Sequence, residues 1–260
     1  QFKPDFSATR INWDKFWRAE NERPLLSATI PKPGVEEVAK PPYASGADGN
    51  FMPVIDQLLR WAESHEFLYE AIPFFYLEFA ADHFAALLGA DLIFPDKGQG
   101  GWPVHFITDI ENSDIKFQRN GKWWERTCQF AEALKEKCGD SIMIASPTLV
   151  GNLDALVAVR GANEVLLDLA LNPEAVKRAL GQINQAYSEI LEAFSELFNY
   201  SESGSINRHG MYSGGRINVH QCDVSCMISP EMFQDFVLPS LKYEMAHYDA
   251  VEYHLDGPGA

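Results

Sequence analysis

The chain has 260 residues, 21 of them basic and 37 acidic, which gives a formal net charge of −16 at pH 7. Because 46% of the residues are hydrophobic and 22% are charged, the composition is that of a globular protein and excludes a disordered chain. The acidic excess opposes binding to nucleic acid or to an anionic membrane surface, since both need clustered Lys and Arg.

The cysteines and the N-terminal sequence indicate the cellular compartment of the protein. Four cysteines (Cys128, Cys138, Cys222 and Cys226) are too sparse for a disulfide framework, which favours a reducing cytoplasm. The N-terminal QFKPDFSATR has no basic segment followed by an apolar one, and no run approaches the roughly 18 apolar residues of a membrane span. We therefore expect a cytoplasmic protein without a targeting segment.

The first half of the chain mixes helical and strand patterns. In chain order these predict a helix that starts at Ile11 and stops before Pro24, a buried strand over 25–30, a long loop over 31–50, a helix over 51–70, an aromatic strand over 71–79 and a helix ending at Gly89.

The second half continues the alternation. It predicts a short apolar run at 91–95, a Gly-rich loop leading into a strand within 97–110, a helix over 122–139, a strand over 141–148, helices over 152–161, 162–172 and 173–198, a polar loop over 200–215, a strand over 216–223, a helix over 229–248 and a last strand over 250–255. Pro173 suits the first position of its helix, and Ser229 suits an N-cap.

This alternation favours a parallel α/β fold, because parallel strands need crossovers that are usually helical. About six strand–helix units favour a (β/α)8 TIM barrel over a doubly wound sheet, and neither a GxGxxG motif after a strand nor a P-loop is present. The last strand has no helix after it to cover it. We therefore expect one domain over 1–260, a barrel truncated or incompletely represented at its C-terminus; the alternative is a smaller α/β domain with a frayed end.

Polar residues at the ends of predicted strands are the candidate site residues, because the C-terminal strand ends of a barrel face the active site. Side chains alternate along a strand, so residues two apart share a face. Three strand ends carry such pairs: Tyr76 with Glu78, His220 with Cys222 opposite Gln221 with Asp223, and His254 with Asp256.

The pair His254 and Asp256 suits a divalent metal, with zinc as the natural ion, because an imidazole nitrogen and a carboxylate oxygen project from one face. A third ligand could come from Cys222, Cys226, Asp223 or a segment beyond. The alternative is structural: Asp256 begins a turn and His254 is an interior histidine.

Other candidates are less specific. Asp223, at a strand end, could act as an acid, a base or a cation partner, or could cap the next segment. Trp102 and His105 could stack on a planar ligand or pack on the barrel rim. Cys222 and Cys226 lack the spacing of a zinc knuckle or redox pair, and Cys128 and Cys138 lie in a predicted helix, where we expect them to be structural.

Three segments carry a family resemblance: 154–180, 221–242 and the terminal YHLDGPGA. In them the sequence resembles the uroporphyrinogen decarboxylase superfamily, which also contains cobalamin-related methyltransferases; the likeness runs from about Leu25 onward. The second segment matches an aspartate near a strand end, then Ser-Pro-Glu-x-Phe and a helix with Leu-Pro. The resemblance implies a (β/α)8 barrel and places Asp223 on a family active-site position.

Two departures separate this chain from the family's branches. The decarboxylases resemble one another in an Arg-rich loop after the first strand, whereas this chain has TIPKPGVEE there. A net charge of −16 likewise opposes a polycarboxylate substrate unless a local cationic pocket intervenes. The resembling methyltransferases carry His-x-Cys where this chain has His254 and Asp256, and they use zinc to activate a thiol. A harder oxygen ligand changes the metal preference.

The leading hypothesis is therefore a metal-assisted methyltransferase that moves a methyl group between a small molecule and a thiol or corrinoid carrier. The alternatives are decarboxylation of a tetrapyrrole carboxylate, with Asp223 holding pyrrole N–H groups, and a catalytically silent barrel that binds a ligand or a corrinoid protein. Expected partners are a small-molecule substrate and a corrinoid protein, with a homodimer as a candidate assembly. The predicted roles are: catalytic, Asp223 and His254; substrate-binding, Tyr76, Glu78, Trp102, His105 and Gln221; metal, His254, Asp256 and Cys222.

Overall fold

A computed structural model of the chain describes residues 2–94 and 100–255 and has a mixed α/β fold. The helices are α1 (Phe6–Trp17), α2 (Phe51–Ser64), α3 (His83–Leu87), α4 (Lys122–Cys138), α5 (Asn152–Arg160), α6 (Ala162–Leu171), α7 (Pro173–Leu197), α8 (Tyr200–Ser203), α9 (Pro230–Met232) and α10 (Leu238–Met245). The strands are β1 (Ser27–Pro31), β2 (His65–Tyr69), β3 (Phe74–Tyr76), β4 (Asp91–Ile93), β5 (Trp102–Val104), β6 (Met143–Ala145), β7 (Ser205–Ile206), β8 (Tyr212–Ser213), β9 (Ile217–His220) and β10 (Ala250–Tyr253).

The strands pair two by two. β3 with β6 and β9 with β10 are parallel pairs, whereas β1 with β2, β4 with β5 and β7 with β8 are antiparallel. β7 contacts both β6 and β9, so the five strands β3, β6, β7, β9 and β10 are neighbours in that order. The parallel pairs agree with the predicted α/β class. Within the described ranges, however, the hydrogen-bonded sheets stop at two strands and do not close a barrel.

The core forms where the long helices pack beside these strands. In α7, buried residues recur every three or four positions, as an amphipathic helix requires; they include Ile183, Tyr187, Ile190 and Phe194. α7 packs on α5, α6 and α10. Pro173 occupies its first turn, which confirms that prediction. No helix in the described part of the chain combines the length and the apolarity needed to cross a bilayer.

Three predicted elements differ from the structure. The strand predicted as buried over 25–30 is β1, which is largely exposed because it pairs only with β2. The helix predicted over 51–70 ends at Ser64, because the next five residues form β2 against β1. The loop predicted over 200–215 contains α8 and the β7–β8 hairpin, whose two-residue strands are too short to show a period.

The helix predicted over 229–248 is interrupted. The Ser229 hydroxyl accepts a hydrogen bond from the Met232 N–H at 3.2 Å, which confirms the N-cap. Between α9 and α10 the chain widens into a π-helical stretch over Phe233–Val237. Pro239 follows and has no N–H to donate to the Asp235 carbonyl, so the wider turn accommodates the missing bond. Residues 246–249 connect α10 to β10.

Candidate functional site

The β3–β6 end carries a buried, hydrogen-bonded group formed by Tyr76, Glu78 and Thr148. The Tyr76 and Thr148 hydroxyl oxygens lie 2.7 Å apart, and the Thr148 N–H donates to Glu78 Oε1 at 3.2 Å. Burial raises the pKa of Glu78 to about 8 and that of Tyr76 well above its usual range. At neutral pH Glu78 is therefore mostly a neutral carboxylic acid.

Arg208 connects this group to the end of β9. Its Nη2 donates to Gln221 Oε1 at 3.0 Å, and Gln221 Nε2 donates to Asp223 Oδ2 at 2.9 Å. The positive charge of Arg208 also opposes the burial effect on the pKa of Glu78. The structure thus places the predicted residues Tyr76, Glu78, Gln221 and Asp223 in one group, which we call the strand-end site.

Asp154, in the first turn of α5, fixes the backbone at Asp223. Its two carboxylate oxygens accept the Asp223 N–H at 2.8 Å and the Val224 N–H at 3.1 Å. Burial raises the pKa of Asp154 to about 6, while these two bonds hold it down. Asp154 therefore supports the turn, and the exposed Asp223 carboxylate bonds only to Gln221 among the described side chains.

The β9–β10 end carries a second polar group around Glu252. Glu252 Oε1 lies 2.6 Å from His209 Nδ1, and its Oε2 accepts a bond from Asn207 Nδ2 at 2.6 Å. The His209 and His254 ring centres are 6.2 Å apart. The backbone N–H of His254 donates to the backbone carbonyl of His220 at 2.8 Å. By strand alternation His254 shares a face with Glu252.

The predicted zinc ligands are not seen together. Cys222 is buried; burial first, and then the negative charges of Asp154, Asp223 and Glu244, raise the pKa of its thiol. By strand alternation it lies on the face opposite Gln221, away from that of His254. Asp256 lies outside the described residues. Across 2–94 and 100–255 no three His, Cys, Asp or Glu side chains are arranged to hold a metal, so zinc binding stays a prediction.

The two remaining substrate-binding predictions lie at the periphery. Trp102 in β5 is 59% exposed, and His105, just after β5, is exposed as well. His105 acts on Asp82, whose pKa is raised by burial and by Asp223 and lowered by His105. No hydrogen bond between described residues ties Trp102 or His105 to the strand-end site, so their roles stay predictions.

Several residues at these strand ends were not singled out from the sequence. Thr148 ends the strand predicted over 141–148, and Glu252 shares a face with His254, so strand alternation could have found both. Arg208 and His209 lie in the turn of the β7–β8 hairpin, which the sequence did not predict. The positions of Arg208 and His209 depend on their contacts with Gln221 and Glu252, which no local sequence pattern shows.

No protein-family model matches the sequence, and neither does any curated protein. Among solved structures, the chain is similar to a methyltransferase from Methanosarcina mazei, with a TM-score of 0.61 and 12% sequence identity. The superposition covers 96% of this chain and 70% of that one. At this identity the likeness shows a shared fold only.

Proposed function

We propose that the protein is a methyltransferase resembling the uroporphyrinogen decarboxylase superfamily, moving a methyl group between a small molecule and a thiol or corrinoid carrier. The observation that carries the proposal is the strand-end site, two hydrogen-bonded polar groups linked by the charge of Arg208, within a fold shared with a methyltransferase. In this proposal β3, β6, β7, β9 and β10 are consecutive members of a (β/α)8 barrel, whose active sites occupy this end of the strands.

Each part of the site has a role in the proposal. Asp223 positions the small molecule or exchanges a proton with it, and Gln221 holds that carboxylate at 2.9 Å. Tyr76 and the neutral Glu78 form a buried polar wall that can donate hydrogen bonds without adding negative charge. Because Glu78 is neutral, it adds no negative charge beside Asp223, and this limits the repulsion between the site and an electron-rich thiol.

Zinc is part of this proposal, with His254 and Asp256 as its ligands. The donor chemistry fits, because imidazole nitrogen and carboxylate oxygen both bind zinc, and Glu252 and His209 place further donors of these types beside His254. When bound, the ion would lower the pKa of an acceptor thiol.

Metal analysis tests the zinc role directly. We expect about one zinc per chain in the protein and none in His254→Ala, because the imidazole is a required ligand. His247→Ala is the matched control and should keep its zinc, since His247 lies beyond α10 against the Tyr243 ring. An absence of zinc from every variant would contradict the metal role and leave methyl transfer to be tested separately.

Methyl transfer is tested by following the visible spectrum of methylcobalamin with a small thiol. Asp223→Asn should lower the rate by about 100-fold, because it removes the group that positions the substrate or exchanges its proton. Asp235→Asn, an exposed position in the π-helical stretch, should leave the rate unchanged. Equal rates in all three proteins would contradict the role of Asp223.

The alternative reactions are outcomes of parallel assays. Turnover of uroporphyrinogen would favour decarboxylation, although among the described residues the hydrogen bonds of the strand-end site include only one arginine, Arg208. Tight binding of a corrinoid protein without either activity would favour a silent barrel.

A further inference from the structure

A small cavity opens beside the strand-end site. Its volume is about 160 Å³, and it lies between Lys40, Tyr43, the three residues of β3 and Arg208. Tyr76 and Arg208 belong to both the cavity and the strand-end site. Pockets that enclose whole drug-sized ligands measure roughly 300–1,000 Å³, so this cavity suits one terminal group of a molecule.

Lys40 brings a positive charge into the cavity without an acidic partner. Its ammonium lies 3.8 Å from the Phe74 ring centre and 4.9 Å from that of Trp61, which stabilises the cation through the ring faces. No carboxylate in the described part of the chain forms an ion pair with it. Burial lowers the pKa of Lys40 to about 8, so the side chain remains mostly charged at pH 7.

Arg208 brings the second positive charge. One of its terminal nitrogens donates to Gln221, but its Nε is buried and has no hydrogen-bond partner among the described residues. The carboxyl of Glu78, which also interacts with it, is mostly protonated at pH 7 because its pKa is about 8. The charge of Arg208 is therefore not neutralised by an ion pair.

Two unpaired cations around one cavity are unexpected in a chain whose net charge is −16. Other cations of the chain do pair with carboxylates, as Lys122 with Asp91 at 3.1 Å and Arg216 with Glu192 at 2.8 Å. Partly buried charges without partners cost free energy, which an anion between them would offset.

We propose that the cavity between Lys40 and Arg208 binds a single oxyanion group, a carboxylate, sulfonate or phosphate, of the small molecule that enters the strand-end site. The identification of that molecule as a methyl donor or acceptor rests on the proposed function, whereas the anion site does not. A substrate with a single oxyanion group reconciles the acidic chain with a charged ligand, because only one local group has to be accommodated.

The test is a titration of the whole protein with propionate, ethanesulfonate and neutral propionamide at constant ionic strength, followed by saturation-transfer NMR. We expect at least one anion to bind at least tenfold more tightly than propionamide. Lys40→Gln and Arg208→Gln should each weaken that binding about tenfold, because each removes one of two cations around the group. Lys116→Gln and Arg178→Gln, at exposed positions, are the matched controls and should bind as the unaltered protein does.

Lys40→Arg keeps the charge and should retain anion binding, which separates charge from packing if Lys40→Gln unfolds. Equal affinities for both anions and propionamide, or unchanged binding in Lys40→Gln and Arg208→Gln, would overturn the anion site. Anion binding without methyl transfer would contradict the proposed function and leave the site standing. Methyl transfer without anion binding would contradict the anion site and leave the proposed function standing.

Discussion

The β3–β6 pair and the β9–β10 pair lie at opposite edges of the strand layer, and they hold their acidic residues in different environments. At the β3–β6 end, Glu78 is only 4% exposed and its pKa is raised to about 8, so its carboxyl is neutral and hydrogen-bonded. At the β9–β10 end, Glu252 is bonded to His209 and Asn207, and the His209 side chain is 41% exposed.

The difference indicates different roles for the β3–β6 end and the β9–β10 end. A buried neutral acid makes hydrogen bonds from a fixed position, and its ionisation lowers the stability of the folded state. A partly exposed His–Glu pair costs little to hold and remains open to a ligand. We therefore expect substitutions at the β3–β6 end to change stability most, and those at the β9–β10 end to change activity most.

The largest stability effect is expected for Glu78→Gln. The pKa of Glu78 is raised in the folded state, so the unaltered protein loses stability as pH rises from about 4.5 to about 8. Gln is neutral throughout, so the variant should exceed the unaltered protein by about 3 kcal/mol in unfolding free energy at pH 7, at ~1.4 kcal/mol per pKa unit. Urea denaturation at pH 5, 6, 7 and 8 measures the difference.

The advantage of Glu78→Gln should shrink toward pH 5, because that pH lies only slightly above the unfolded pKa of about 4.5 and keeping Glu78 protonated in the fold then costs little. Glu111→Gln is the control at an exposed position and should follow the unaltered protein at every pH. A constant difference across the pH range would show that Glu78 does not ionise against folding.

A smaller effect, and one of opposite sign, is expected for Asp154→Ala, which acts on the turn between the two ends. The substitution leaves the N–H groups of Asp223 and Val224 without their acceptor, and this should cost about 2 kcal/mol. Asp154→Asn keeps one acceptor oxygen and should be about 1 kcal/mol more stable than Asp154→Ala; because both variants remove the buried carboxylate, this difference isolates the hydrogen bonds. Denaturation at pH 7 compares the three proteins, and equal losses for Ala and Asn would contradict the role of the bonds.

The sequence predicts the two ends unequally for a physical reason. Helix α7 and the positions of the strands β3, β6, β9 and β10 follow from local patterns, and strand alternation placed Tyr76 with Glu78 and Gln221 with Asp223. The contacts of Arg208 with Gln221, and of His209 with Glu252, join a hairpin turn to residues 13 and 43 positions further along the chain. Tertiary packing decides those contacts, and no local pattern encodes them.

The smallest stability effect is expected for His209→Gln, at the β9–β10 end. The His209–Glu252 pair is partly exposed, so its loss should change the unfolding free energy by less than about 1 kcal/mol. The rate of methyl transfer should nevertheless fall about tenfold, because Glu252 loses a partner that fixes its carboxylate beside His254. A stability loss as large as that of Asp154→Ala, with an unchanged rate, would make this end structural and remove the contrast with the β3–β6 end.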